Sequence, residues 1–166
     1  MYNMDYQVDT GNMAPNFTLI NTAGKGFELY DCKNKKTVML FFFDHTNDRC
    51  LDMLSKIGSQ YDRFKDAGAI MVPVATVKID EGIKIKNMHN LPFEIYCDGD
   101  HTVTRNYKVG QCSSEASHVC FEIITRVTSP TLFIIDTSGI IRFKDDVAKE
   151  RPDNATLMRQ CQEARR

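Results

Sequence analysis

Two hydrophobic patterns meet between Thr37 and Lys65. Residues 38–43 are six apolar residues without a break, whereas Leu51, Leu54, Ile57, Tyr61 and Phe64 recur at steps of three and four. The first pattern predicts a strand buried on both faces, and the second predicts a helix with one apolar face. A short polar loop, Asp44-His45-Thr46-Asn47-Asp48-Arg49, separates them and leads into Cys50. The reading places a cysteine in the first turn of a helix that follows a buried strand. Backbone N–H groups there lack helical partners and the dipole favours negative charge, so a thiol at that point is expected to ionise more readily.

The rest of the chain is patterned less strongly. Residues 1–13 show no periodicity and are expected to form an extended arm. Residues 14–19 alternate and predict a short strand, with Asn21-Thr22-Ala23-Gly24 as its turn, and residues 27–30 predict a second strand or the approach to a turn. The helix after Cys50 is expected to run to Ala67-Gly68, where glycine suits a C-terminal cap. Residues 69–77 read as the next strand, with Pro73 forcing a bulge or an early end because proline gives no ladder donor. A helix over 81–90, a strand over 93–96, a turn at Asp98-Gly99-Asp100 and a short helix over 102–107 follow. Residues 110–122, with Cys112, His118 and Cys120 among Ser and Glu, read as an inserted loop. A hairpin closes the sheet (strands 131–135 and 140–143 around Asp136-Thr137-Ser138-Gly139), and Asp153 caps a last helix carrying Leu157, Met158 and Cys161. This order predicts an α/β fold with a mixed central sheet flanked by helices.

Composition narrows the function classes. With 166 residues, 42% apolar and 26% charged, the chain suits one domain with a full core. A formal net charge of −1 gives no overall drive toward nucleic acid or anionic membrane. No apolar run approaches a membrane span, and the N-terminus, with Asp5 and Asp9, lacks the apolar core of a secretory signal. A cytoplasmic location is therefore expected. The six cysteines are not spaced as in a small secreted scaffold, so most are expected to be reduced, with one or two functional. Structural disulfides, including one between Cys112 and Cys120, are the alternative. Cys112, His118 and Cys120 offer soft ligands in a spacing unlike the usual zinc patterns, and neither metal nor cofactor is expected.

The chain resembles the peroxiredoxins of the alkyl hydroperoxide reductase/thiol-specific antioxidant family. Gly11-Asn12-Met13-Ala14-Pro15-Asn16-Phe17-Thr18-Leu19 resembles that family's entry motif, and the strand from Thr37 to Phe43 its pre-active-site strand. Leu91-Pro92-Phe93, Asp98, Tyr107-Lys108-Val109 and the hairpin Thr131-Leu132-Phe133-Ile134-Ile135-Asp136 with Gly139 and Ile140 follow in the family's order. The resemblance implies a thioredoxin-like fold over residues 1–166. It also implies a thiol-dependent peroxidase that reduces hydroperoxides through Cys50, with a thiol reductant such as a thioredoxin-like protein as partner. A homodimer is one assembly open to it.

The active-site motif departs from the family. Where the family has proline seven residues and threonine three residues before the cysteine, this chain has Phe43 and Asn47. Thr46 lies one residue off the threonine position, and the amide of Asn47 is a second candidate donor to a peroxide oxygen. The position of the family arginine falls at Pro130, so Arg126 or Arg49 is expected to supply the positive charge. Cys112 and Cys120 are the candidate resolving thiols. Ser129-Pro130-Thr131 resembles instead the cis-proline segment of thioredoxins and related thiol-disulfide oxidoreductases, although Asn47 stands where their first cysteine would be. Thiol-disulfide exchange, or a redox-inactive binding module, are thus the alternative functions. The peroxidase reading further expects a solvent-reachable sulfur with a guanidinium nearby.

Overall fold

The computed structural model describes residues 8–109, 130–147 and 152–165. Seven strands form one mixed sheet: β1 (Thr18–Asn21), β2 (Gly26–Glu28), β3 (Thr37–Phe42), β4 (Ala69–Ala75), β5 (Tyr96–Cys97), β6 (Thr131–Ile135) and β7 (Ile141–Asp146). Their spatial order is β2-β1-β5-β4-β3-β6-β7. Helices α1 (Asp48–Ser59), α2 (Tyr61–Asp66), α3 (Ile79–Met88), α4 (Thr102–Asn106) and α5 (Asn154–Ala164) connect and flank it. β3 lies near the centre, parallel to β4 and antiparallel to β6.

Every residue of β3 is buried, as its unbroken apolar run requires. Successive side chains of a strand point to opposite faces, so β3 feeds two cores. Met39, Phe41 and Phe43 join Leu54, Ile57, Ile85 and Leu157 on the face carrying α1, α3 and α5. Val38, Leu40 and Phe42 join Phe17, Leu29, Val103 and Tyr107 on the other face. There the Tyr107 ring lies 4.9 Å from Phe42 and 5.4 Å from Phe133, and its hydroxyl donates to the Pro15 carbonyl at 2.5 Å.

Several local expectations are corrected. The first strand runs from Thr18 rather than 14, because Asn21 pairs with Tyr96 of β5 and Thr18 with Glu28, while the Pro15 segment passes beneath Tyr107. The long helix breaks at Gln60 (φ −125°, ψ 23°), which separates α1 from α2. Pro73 causes neither a bulge nor an early end. The carbonyl of Val74 accepts from Phe43 on the β3 side, so Pro73 faces the other edge, where the β5 ladder begins only at Val74. The missing N–H therefore falls outside the hydrogen-bonded pairs of both ladders. The helix expected from 81 starts at Ile79, which leaves Ile83 half-exposed and buries Ile85. The strand expected over 93–96 shrinks to β5, and the hairpin partner begins at Ile141 after an isolated bridge between Met13 and Ile140. Residues 11–14 thus dock along the start of β7 instead of extending freely, with Gly11 N–H donating to the Ile141 carbonyl at 2.8 Å. Lys108 adopts φ +62° at the place where the resembled family carries glycine.

Buried thiols give the fold an alkaline limit. Burial pushes the thiol of Cys161 up to about 12 and that of Cys97 up to about 11, against 9.0 for a free thiol. A raised folded value means that the unfolded chain loses its protons first as pH rises. The stabilisation is therefore complete below about pH 9 and disappears as pH climbs through the folded values. Denaturant melts by circular dichroism should lose stability between pH 9 and 11, and Cys161→Ala should flatten that slope.

Candidate active site

The polar loop after β3 closes on itself through Asp44. Its backbone carbonyl accepts from Asn47 N–H at 3.0 Å, and its Oδ1 accepts from both Thr46 N–H at 2.9 Å and the Thr46 hydroxyl at 2.6 Å. The Asp44 carboxylate is 7% exposed, so these bonds replace much of its lost hydration. The turn delivers Asn47 to the N-cap of α1, in extended conformation (φ −107°, ψ 117°). Asn47 Oδ1 accepts from Arg49 N–H at 2.8 Å and Cys50 N–H at 3.3 Å, two donors that the helix leaves without partners. Asn47→Ala should cost about 1 kcal/mol by loss of this cap. A thermal melt should register it as a drop of roughly 2–4 °C.

Cys50 is the third residue of α1, as the sequence implied, and it is a free thiol. It is 3% exposed and belongs to the core cluster with Phe41, Phe43 and Met53. The expected readily ionised, solvent-reachable thiol is therefore corrected. Burial raises the thiol above its ordinary value, the Asp44 carboxylate raises it further, and an N–H bond from Asp44 and the charge of Arg49 pull the other way. The Cys50 N–H belongs to Asn47, so the helix N-terminus does not aim it at the sulfur.

The remaining sequence candidates fall into three groups. Thr46 is exposed and its single hydroxyl proton is already donated to Asp44, which leaves none for a substrate oxygen in this arrangement. Asn47 commits its oxygen to the cap and keeps its Nδ2 donors. Pro130 is buried at the start of β6. The register Phe42↔Thr131 carries it to the same end of the sheet as Phe43 and the loop, and its carbonyl accepts from Val147 N–H at 3.0 Å. Arg126, Cys112 and Cys120, with the Ser129 side of the Pro130 peptide bond, lie outside the described residues. Arg49 is exposed beside Cys50 and is the cation whose charge acts on the thiol among the described residues.

Of the other thiols, Cys161 is buried in the same core, Cys97 packs at its margin, and Cys32 is half-buried on the opposite face. Among the described residues no three His, Cys, Asp or Glu side chains gather as a metal site, and no helix is long and apolar enough to cross a membrane.

Comparison with known proteins agrees with this geometry. The chain is 26% identical over 134 residues to a candidate peroxiredoxin, bcp, of Coxiella burnetii, covering 81% of this chain and 85% of that one. It is 24% identical over 149 residues to peroxiredoxin Bcp of Bacillus subtilis, covering 86% and 92%. Against the chloroplastic peroxiredoxin Q of Oryza sativa subsp. japonica it is 21% identical and spans 58% of that protein's length. Among solved structures, peroxidoxin BcpB from Mycobacterium tuberculosis superposes with a TM-score of 0.78 at 16% identity, over 96% of this chain and 99% of that one. The mitochondrial 2-Cys peroxiredoxin from Plasmodium falciparum gives 0.73 at 16% identity, over 93% of each. These likenesses establish the thioredoxin-like fold of peroxiredoxins. The family model for AhpC/TSA matches residues 10–144, from the docked N-terminal segment to β7, and the chain belongs to the AhpC/TSA family.

Proposed function

We propose that the protein is a thiol-dependent peroxidase that reduces hydroperoxides through Cys50. The observation that carries this is the place of Cys50, in the first turn of a capped helix at the end of the central strand, inside the segment matched to the family. Loss of the Cys50 proton leaves a thiolate whose electron pair attacks one peroxide oxygen. The S–O bond forms, the O–O bond breaks, and the second oxygen departs and takes up a proton as water or an alcohol. The sulfenic acid then condenses with a second thiol, releasing water and forming a disulfide, which an external dithiol of thioredoxin type reduces. In sum, one hydroperoxide and two thiols give an alcohol or water, a further water and a disulfide.

In this proposal three parts of the scheme fall to described residues. Cys50 supplies the nucleophile. Asn47, its oxygen held by the cap, supplies Nδ2 to the leaving oxygen. Arg49 supplies positive charge, with Arg126 the second candidate. Because Cys50 is 3% exposed, attack requires a local opening that uncovers the sulfur. Cys112 and Cys120 remain the proposed resolving thiols. A reducing compartment such as the cytoplasm suits the four described cysteines, all of them free.

Burial of the thiol and its raised pKa, which keeps it protonated, favour a second reading, a redox-inactive thioredoxin-fold module that binds a partner. The second-order rate of Cys50 with hydrogen peroxide, followed by mass spectrometry of the sulfenic acid, separates the two. The peroxidase reading expects a rate far above that of free cysteine. A rate no faster than free cysteine retires it in favour of the module.

A further inference from the structure

We propose that the polar cleft between the β6–β7 turn and the end of α5 binds a small sugar phosphate. The cleft has a volume of about 330 Å³ and is lined by Asp136 and Ser138 of the turn, Arg142 of β7, and Gln160, Glu163 and Arg165 at the end of α5. It lies at the far end of the sheet from Cys50, because Ile135 pairs with Val38 at the start of β3 and Cys50 follows the other end of that strand. The cleft is therefore separate from the thiol site, and the proposal does not rest on the peroxidase reading.

Two arginines are fixed at this cleft, each by one bond. Arg142 donates from Nε to Asp136 Oδ2. Asp136 is buried, and its Oδ1 accepts from Ser138 N–H at 2.8 Å and Ile140 N–H at 2.9 Å. The charge of that carboxylate is met within the turn, and Arg142 keeps both terminal nitrogens for another acceptor. Arg165 donates from Nη1 to the Ala67 carbonyl at 3.1 Å and lies over Gly68 (φ +84°), where a Cβ would collide with its guanidinium. A guanidinium held in this way offers its remaining N–H groups in a planar fork that suits a phosphate.

The rest of the polar lining is unsatisfied. The Gln160 amide, the Glu163 carboxylate and the Ser138 hydroxyl have no hydrogen bond or ion pair among the described residues. Close by, Thr37 is fully buried and its hydroxyl has no partner, while its N–H donates to the Gly68 carbonyl at 3.0 Å. Buried hydroxyls are rarely left in that state, so polar capacity at this end of the sheet is unfilled. Positive charge extends beyond the lining. Asn34 N–H donates to the Thr137 carbonyl at 2.7 Å and ties the turn carrying Lys35 and Lys36 to the rim. A concave surface bordered by such cations concentrates anions. Glu163 selects among them, because a carboxylate only accepts: it needs a ligand that carries donors as well as a phosphate. Sugar hydroxyls supply those donors, and Gln160 can both give and accept.

Isothermal titration calorimetry on the full chain tests this with ribose 5-phosphate, inorganic phosphate and ribose, against sulfate at matched ionic strength. Ribose 5-phosphate should bind saturably, one to one and more tightly than inorganic phosphate, and ribose should give no measurable heat. Arg142→Gln should weaken binding roughly tenfold or more, as expected for loss of charge-assisted hydrogen bonds. Arg142 also matches the buried Asp136, so Arg165→Gln, at the exposed helix end, serves if the first variant fails to fold and should weaken binding in the same sense. Absence of saturable binding overturns the proposal. So does inorganic phosphate or sulfate binding as tightly as the sugar phosphate, or an affinity unchanged in the folded arginine variant. The rate of Cys50 with hydrogen peroxide should be unchanged in either variant, so the two sites are tested separately.

Discussion

A Cys50→Ser chain should consume hydrogen peroxide no faster than the thiol reductant does by itself. A serine hydroxyl at that place is nearly isosteric but is no nucleophile near neutral pH without an adjacent base to activate it. The carboxylate of the preceding loop, Asp44, is bonded to Thr46 through Oδ1. The loss should therefore be on the order of 10⁴-fold or more, as when a covalent nucleophile is removed from other enzymes. The other described thiols are not expected to substitute for it, and burial raises Cys32 as well. Cys161 is wholly buried, and Cys97 is raised to about 11. Peroxide disappearance with dithiothreitol as reductant measures the effect, and a circular dichroism melt close to wild type confirms that the fold is intact. Residual turnover of the wild-type order would move the chemistry to another cysteine.

The largest expected loss of stability comes from Phe42→Ala. Phe42 is 0% exposed, at the end of the central strand, with the Tyr107 ring at 4.9 Å and the Phe133 ring at 6.0 Å in an edge-on arrangement. Truncating a phenylalanine in such a core removes its transfer free energy and leaves a cavity, together about 3–5 kcal/mol. Its neighbours are held on other elements, so the space cannot readily collapse. Tyr107 is tied by its hydroxyl to Pro15, and Phe133 belongs to β6. For a chain of this length the loss corresponds to a melting temperature about 10 °C lower. Phe42 lies on the sheet face opposite Met39, Phe41 and Phe43, so the damage should appear as lost stability before it appears at Cys50. A melting temperature within a degree or two of wild type would mean that this second core is much looser than its ring contacts imply.

These two residues also mark where the sequence was readable. The run around Phe42 read as a strand covered on both faces, because six consecutive apolar residues leave no polar side for solvent and are too few for a typical buried helix. The helix after Cys50 followed from its three-and-four spacing, but its break at Gln60 did not, since Tyr61 and Phe64 stay in phase with Leu54 and Ile57 across the interruption. Pro73 looked like a strand breaker because its consequence depends on which neighbour its missing N–H would have faced, and only the pairing of β4 decides that. The site was legible to a similar depth. The position of Cys50 followed from local pattern. Its ionisation did not, because burial and the Asp44 carboxylate are tertiary facts and they outweigh the helix terminus. Asn47 reads as a cap once the helix start at Asp48 is known, yet the chain was equally open to reading it as a substrate donor. Its oxygen serves the cap, and its Nδ2 is the donor proposed for the substrate.

The central position of β3 also bears on the birth of the protein. One edge of β3 is satisfied by β4, which follows closely, but the other waits for β6, about ninety residues further along the chain. A ribosome reaches Ile135 only after that whole interval has been made. Until then the most apolar segment in the molecule offers an open hydrogen-bonding edge to any other nascent strand. Long-range closure of this kind is slow compared with local pairing. The strand that anchors the finished fold is thus also the one most exposed to mispairing during synthesis, so a burst of overexpression tests its weakest moment rather than its mature stability.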